Sequence, residues 1–166
     1  AALSLCLAPA ALGQRVLDKP EIEDVVKQLT SQPRSTLISA GEILASGGTD
    51  KTARLWELAS GPNVQTFRGL TMDVGALAWS PDGKILASGE SAYTGWNGSP
   101  PQVRLWDVTS GRPSRTLKRM YGTYITSLAW SPDAKCIACG ADDEFVFVYN
   151  VQTGASLAEF KTPRAY

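Results

Sequence analysis

The chain has 166 residues, of which 43% are hydrophobic and 19% are charged, a composition typical of a folded globular protein. Sixteen Lys and Arg residues balance sixteen Asp and Glu residues. The chain therefore has no excess of positive charge that would predict binding to nucleic acid or to an anionic membrane. The chain contains no histidine, which excludes a Ser-His-Asp or Cys-His catalytic arrangement within it. No phosphate-binding loop or metal-ligand spacing is present either, and we predict no catalytic residue, no metal and no cofactor.

Residues 1–13 form an apolar segment that is too short to span a membrane as a helix. It resembles the hydrophobic part of a secretory signal peptide, with Ala11 and Gly13 placed as at a cleavage site. The alternative is an apolar segment inside a longer protein. The first interpretation predicts a secreted or periplasmic protein, and the second predicts a cytoplasmic one.

Residues 14–35 read as a linker that contains one short helix. Asp18 and Pro20 are typical of a helix start, and apolar residues recur with helical spacing from Ile22 to Leu29. This pattern predicts an amphipathic helix over about residues 20–29. Its apolar side would either pack on the domain that follows or dock on a partner.

From Thr36 onward, short β-rich runs alternate with turn residues, and the sequence repeats itself. The run LAWSPDGK at 77–84 returns as LAWSPDAK at 128–135, and RLW at 54–56 returns at 104–106. Trp56, Trp106 and Tyr149 hold the same position in three successive units. The middle unit carries an insertion of eight residues, and without it the spacing fits a repeat of about 40–45 residues.

The insertion is the strongest candidate for a recognition element. The loop that contains this insertion, residues 91–101, has two aromatic side chains, Tyr93 and Trp96, among Gly and Pro residues. Aromatic residues on surface loops often anchor partners. We predict Tyr93, Trp96 and Arg104 as partner contacts. The alternative is that the insertion is tolerated without any function.

These motifs together resemble the WD40 repeat family, and the resemblance extends from Thr36 to about Phe160. One interpretation is that the chain is a fragment of a longer WD40 protein of the bacterial type. The resemblance implies an all-β fold of three four-stranded antiparallel sheets, the blades of a β-propeller, at about 36–72, 73–122 and 123–162. It also implies a non-catalytic scaffold that binds other proteins. The alternative function is a regulatory or substrate-holding segment of a larger enzyme, such as one linked to a protease or a kinase.

Several side chains are expected to hold the blades together rather than to perform chemistry. Asp82 and Asp133 each follow a Pro and are expected to form tight turns, while the family pattern assigns structural roles to the others. The structural residues of the three blades are Ser46, Asp50 and Trp56; Trp79, Asp82, Ser88 and Trp106; and Trp130, Asp133, Asp143 and Tyr149. The His that usually completes this polar set in the family is absent, and Cys139 stands where the other repeats have Ser.

Three blades cannot close a ring, because propellers have four to eight. The chain is therefore expected to be part of a longer propeller, to complete the ring by self-association, or to cover one face with its N-terminal helix. Cys136 and Cys139 lie three apart in one strand and so point to opposite faces. We expect them to fill the core rather than to form a metal or redox site.

Overall fold

The computed structural model describes residues 36–40, 43–57, 63–91, 100–118 and 124–161. These residues form twelve β-strands and contain no helix, and so no helix capable of crossing a membrane. The apolar segment 1–13, the predicted helix at 20–29, and Tyr93 and Trp96 lie outside the described residues.

The strands form three antiparallel sheets of four strands each. The first sheet contains β1 (Thr36–Ala40), β2 (Ile43–Gly47), β3 (Ala53–Glu57) and β4 (Asn63–Phe67). The second contains β5 (Asp73–Trp79), β6 (Ile85–Ser91), β7 (Gln102–Asp107) and β8 (Pro113–Lys118). The third contains β9 (Ile125–Trp130), β10 (Cys136–Ala141), β11 (Phe145–Asn150) and β12 (Ser156–Lys161).

Within every sheet the strands pair in the order of the sequence, so each sheet is a simple meander. The first strands of the sheets also touch one another, β1 against β5 and β5 against β9. The three sheets therefore stack side by side, each with its first strand on the same side of the stack. This arrangement confirms the all-β fold with WD40-type blades.

Tight turns connect the paired strands, and some need a left-handed backbone. Gly83 follows the Pro81-Asp82 pair in the turn between β5 and β6, with φ of 70°. The same position in the third sheet holds Ala134, with φ of 57°. An Ala in this region costs about 1 kcal/mol relative to Gly, so the turn geometry in the third sheet is imposed by its hydrogen bonds.

Two hydrophobic clusters lie between neighbouring sheets. The first joins the first and second sheets and includes Leu55, Phe67, Leu77, Leu86 and Trp106. The second joins the second and third sheets and includes Leu105, Leu117, Ile125, Ile137 and Phe147. The middle sheet is thus covered on both faces, which is why its strands tolerate apolar residues at successive positions.

The outer faces of the stack are less well covered. Phe67, Leu117 and Phe160 hold one register position, opposite Ala53, Val103 and Val146 respectively. Phe67 and Leu117 are buried at 0% and 1% exposure beneath the next sheet, whereas Phe160 is 56% exposed.

At the opposite end of the stack, an apolar side chain is again less well covered than its equivalent in the middle sheet. Trp56 is half-buried, whereas its middle-sheet equivalent, Trp106, is 1% exposed against the first sheet. Both ends of the three-sheet array therefore present apolar side chains that the described residues leave open.

Candidate functional site

The Trp residues of the first two sheets tie neighbouring strands together. The indole Nε1 of Trp56 on β3 donates a hydrogen bond of 2.8 Å to the hydroxyl of Ser46 on β2. In the middle sheet, Trp106 donates an equal bond of 2.8 Å to Ser88. Ser46 and Ser88 are both buried, so each bond satisfies a hydroxyl that water does not reach.

In the third sheet, Tyr149 connects two sheets. Its hydroxyl donates a hydrogen bond of 3.4 Å to the carbonyl of Lys118 on β8 of the preceding sheet. Cys139, at the position of Ser88, is a buried free thiol, and Cys136 is a half-buried one. No group of side chains within the described ranges could hold a metal ion.

The turn that follows the first strand of the second sheet is organised by Asp82. Its carboxylate accepts hydrogen bonds from the hydroxyl of Ser80 at 2.6 Å and from the N–H of Lys84 at 3.2 Å. The Ser80 hydroxyl in turn accepts the N–H of Ile85 at 2.9 Å. The hydrogen bond from Ser80 is the main reason that the pKa of Asp82 is below its ordinary value.

The third sheet repeats this turn around Asp133. Ser131 and the N–H of Lys135 donate to its carboxylate at 2.7 and 3.1 Å. The pKa of Asp133 is lowered for the same first cause, the hydrogen bond from Ser131. Both Asp residues are therefore committed to turns in the structure.

Acid should weaken both turns. Because the folded pKa of Asp82 lies below its unfolded value, its contribution to stability is complete above the unfolded pKa and is lost as the pH falls through the folded one. We expect Asp82→Asn to flatten the decline of stability below about pH 4. Urea unfolding between pH 2 and pH 7 measures this, and an unchanged acid limb for the variant would contradict it.

Asp50 organises the connection between β2 and β3. Burial opposes its ionisation, but hydrogen bonds from Thr52 and Arg54 outweigh burial and lower the pKa of Asp50. Asp143, in the corresponding connection of the third sheet, accepts the N–H of Phe145 at 3.3 Å. Each of these acids supports a short connection between the second and third strands of its sheet.

The two Trp residues that end the first strands of their sheets differ in their polar contacts. Trp130 donates its Nε1–H across the sheet boundary to the carbonyl of Ala78 at 3.2 Å. The Nε1 of Trp79 is buried and has no hydrogen-bond partner in the described part of the chain. Trp130 thus adds a polar tie between the second and third sheets.

The end of the middle sheet that carries the insertion contains a buried carboxylate. Glu90 is at 0% exposure, and both of its carboxylate oxygens accept hydrogen bonds from Thr71. Sequence reasoning missed this residue. The available signal was a charged side chain at a repeat position that holds Gly48 in the first repeat and Ala141 in the third.

Arg104, the one described member of the predicted contact set, faces Glu90. Its Nε lies 3.8 Å from a carboxylate oxygen of Glu90, and 17% of its side chain is exposed. Its guanidinium carbon is 6.0 Å from the ring centre of Trp106. The structure therefore places Arg104 at the base of the insertion, with most of its side chain turned inward.

Three stacked meanders with Trp–Ser ties and Ser-Pro-Asp turns define a WD-repeat protein. The family model described as WD domain, G-beta repeat matches residues 23–57, 61–107 and 111–150, which is more than half of the chain. The chain belongs to the WD40 family and carries three of its repeats. The first match includes residues 23–35, which lie outside the described residues.

Three relatives show how this chain compares with known WD-repeat proteins. Periodic tryptophan protein 2 homolog of Schizosaccharomyces pombe is 31% identical over 74% of this chain and 16% of its own length. A chromatin assembly factor 1 subunit of Gallus gallus is 29% identical over 69% and 22%. WD repeat-containing protein VIP3 of Arabidopsis thaliana is 26% identical over 86% and 47%. The chain spans less than half the length of each, and these three are eukaryotic, so they lend no support to the bacterial resemblance.

Proposed function

We propose that the chain is a non-catalytic scaffold that binds another protein at the end of the middle sheet that bears the insertion. Membership of the WD40 family supports a scaffold, as does the structural use of the polar residues Ser46, Asp82 and Ser88. The name of the Gallus gallus relative describes one component of an assembly factor, which supports a place in a multi-protein complex. No observation on the described residues favours the enzyme-linked alternative.

The observation that carries this proposal is the length of one connection. The second and third strands of the three sheets begin their pairing at equivalent places, Gly47 with Ala53, Gly89 with Val103, and Gly140 with Val146. The first and third of these connections need only a short turn, whereas the second contains the insertion. A long loop that rises from a rigid, regular base is a common arrangement for recognition.

Within that loop we propose Tyr93 and Trp96 as the anchors, since large aromatic side chains contribute most to protein interfaces. Arg104 remains in the proposed contact set at the edge of this surface. Because its side chain is only 17% exposed and its Nε lies 3.8 Å from Glu90, its larger contribution would be to support the base of the loop. The proposed partner is a protein, since the net charge of zero gives no electrostatic reason to expect nucleic acid.

The test compares binding by the full chain and by a Tyr93→Ala/Trp96→Ala variant. Affinity capture followed by mass spectrometry defines the bound proteins, and a titration with the most enriched protein gives the affinity. We expect the double variant to bind at least about tenfold more weakly, as for loss of one interface hot spot. Val64→Ala is the matched control, since Val64 is 49% exposed on the first sheet. Equal binding by the wild type and the double variant would remove the loop from the proposed surface.

We also propose that the open apolar faces of the first and third sheets are covered in the native protein. Phe160 and the half-buried Trp56 support this, because their middle-sheet equivalents are covered by a neighbouring sheet. Further blades of a longer chain or a second copy would supply the cover.

A further inference from the structure

The first sheet shows how an acid fixes the connection between its second and third strands. Asp50 accepts the N–H of Thr52 at 3.1 Å and the Thr52 hydroxyl at 2.8 Å. It also forms an ion pair with Arg54, which lies on β3 two residues before Trp56. The carboxylate therefore has three donors, namely both polar groups of one Thr and the guanidinium of an Arg.

The middle sheet places the same residue types, a Thr and an Arg, around a different acid. Glu90 accepts the N–H of Thr71 at 2.9 Å and the Thr71 hydroxyl at 3.0 Å. Arg104 lies on β7 two residues before Trp106, the position of Arg54 in the first sheet, and pairs with Glu90. A Thr that donates twice and an Arg at one strand position thus recur around a carboxylate. Arg104 contributes its charge, since its Nε makes no hydrogen bond within the described residues.

The two acids differ in where the chain places them. Asp50 lies in the connection itself, between β2 and β3. Glu90 lies in β6, before the insertion begins, and its Thr71 comes from the segment that joins β4 of the first sheet to β5. The longer side chain of Glu reaches the donors from this earlier position.

We propose that Glu90 replaces the missing turn Asp of the middle sheet, so that the carboxylate at the base of the connection between β6 and β7 comes from β6 rather than from the connection itself. Glu90 is fully buried, and a buried carboxylate is tolerated only with donors in place. Its bonds to Thr71 also fasten the segment that joins β4 to β5 against β6. This inference concerns the fold alone and holds whether or not the insertion binds a partner.

The first test exchanges the connection. In a chimera, residues 90–102 are replaced by the Gly-Thr-Asp-Lys-Thr of residues 48–52, which restores an Asp in the turn. We expect Thr71→Val to lower the melting temperature of the wild type by roughly 5 °C, because a hydrogen bond to a buried charge is lost, and to leave that of the chimera unchanged. Thr66→Val, which removes an exposed hydroxyl, is the control in both backgrounds. An equal loss in wild type and chimera would overturn the proposal.

The second test does not require the chimera to fold. Residues 92–99 are replaced by a Gly-Ser sequence of equal length in the full chain, and Glu90→Ala is made separately. We expect the exchange to change the melting temperature by no more than about 2 °C, and Glu90→Ala to lower it by roughly 10 °C, because Thr71 loses its acceptor and the largely buried charge of Arg104 loses its partner. A loss from the exchange as large as that from Glu90→Ala would overturn the proposal. Loss of partner binding by the exchanged variant would bear on the proposed function alone.

Discussion

Phe67→Ala is expected to lower the free energy of unfolding by about 3–5 kcal/mol, the usual cost of removing a buried Phe. Phe160→Ala, at the same register position of the third sheet, is expected to cost less than about 1 kcal/mol. Phe67 is fully buried, and the centre of its ring lies 5.2 Å from the ring centre of Trp106. Phe160 is more than half exposed, so its truncation removes little buried surface and leaves no cavity.

Urea unfolding of the full chain and the two variants measures this difference. The comparison is well matched because the residue, the substitution and the strand position are the same, and only the cover from a following sheet differs. A cost for Phe160→Ala near that of Phe67→Ala would contradict the prediction. If that cost grew with protein concentration, a second copy of the chain would be covering the third sheet.

The strands and their turns could be predicted from the sequence because the same run of residues occurs in two of the repeats. The Leu-Ala-Trp-Ser-Pro-Asp run at 77–82 returns at 128–133, and both copies form the end of a strand and a tight turn in the structure. Local hydrogen bonds between residues two to five apart fix such turns. Their geometry therefore does not depend on which sheet lies alongside.

What the sequence did not reveal depends on contacts between sheets. The repeat pattern did not show that a neighbouring sheet covers Phe67 and leaves Phe160 exposed. It also gave no sign that Tyr149 would reach the carbonyl of Lys118, since these residues lie 31 positions apart. Contacts of this kind require the stacking of the sheets, which a repeat pattern implies only in outline.

Glu90 illustrates a second limit. Its acceptor role depends on Thr71, which belongs to the segment between two sheets and matches no repeat position used in the sequence comparison. Arg104 was predicted as a partner contact together with Tyr93 and Trp96. The structure shows that this side chain is only 17% exposed and lies beside Glu90, the residue that immediately precedes the insertion loop.

Trp106→Ala is expected to cost about 3–5 kcal/mol of unfolding free energy, and Trp56→Ala clearly less. Both indoles donate the same 2.8 Å bond to a buried Ser hydroxyl, so the difference isolates the packing of the ring. Trp106 lies beneath the first sheet, whereas Trp56 is only half-buried. Urea unfolding of both variants measures the difference, and equal costs would show that the hydrogen bond, rather than the neighbouring sheet, dominates.

The hydrogen bond can be separated from packing by a milder change. Trp106→Phe keeps most of the ring but leaves the fully buried hydroxyl of Ser88 without its donor, which costs about 1–3 kcal/mol. Adding Ser88→Ala removes that unsatisfied hydroxyl, so the double variant should be no less stable than Trp106→Phe alone. If the stability losses of the two substitutions were strictly additive, Ser88 would have another buried partner. The hydrogen bond from Trp106 would then not be the main interaction of the Ser88 hydroxyl.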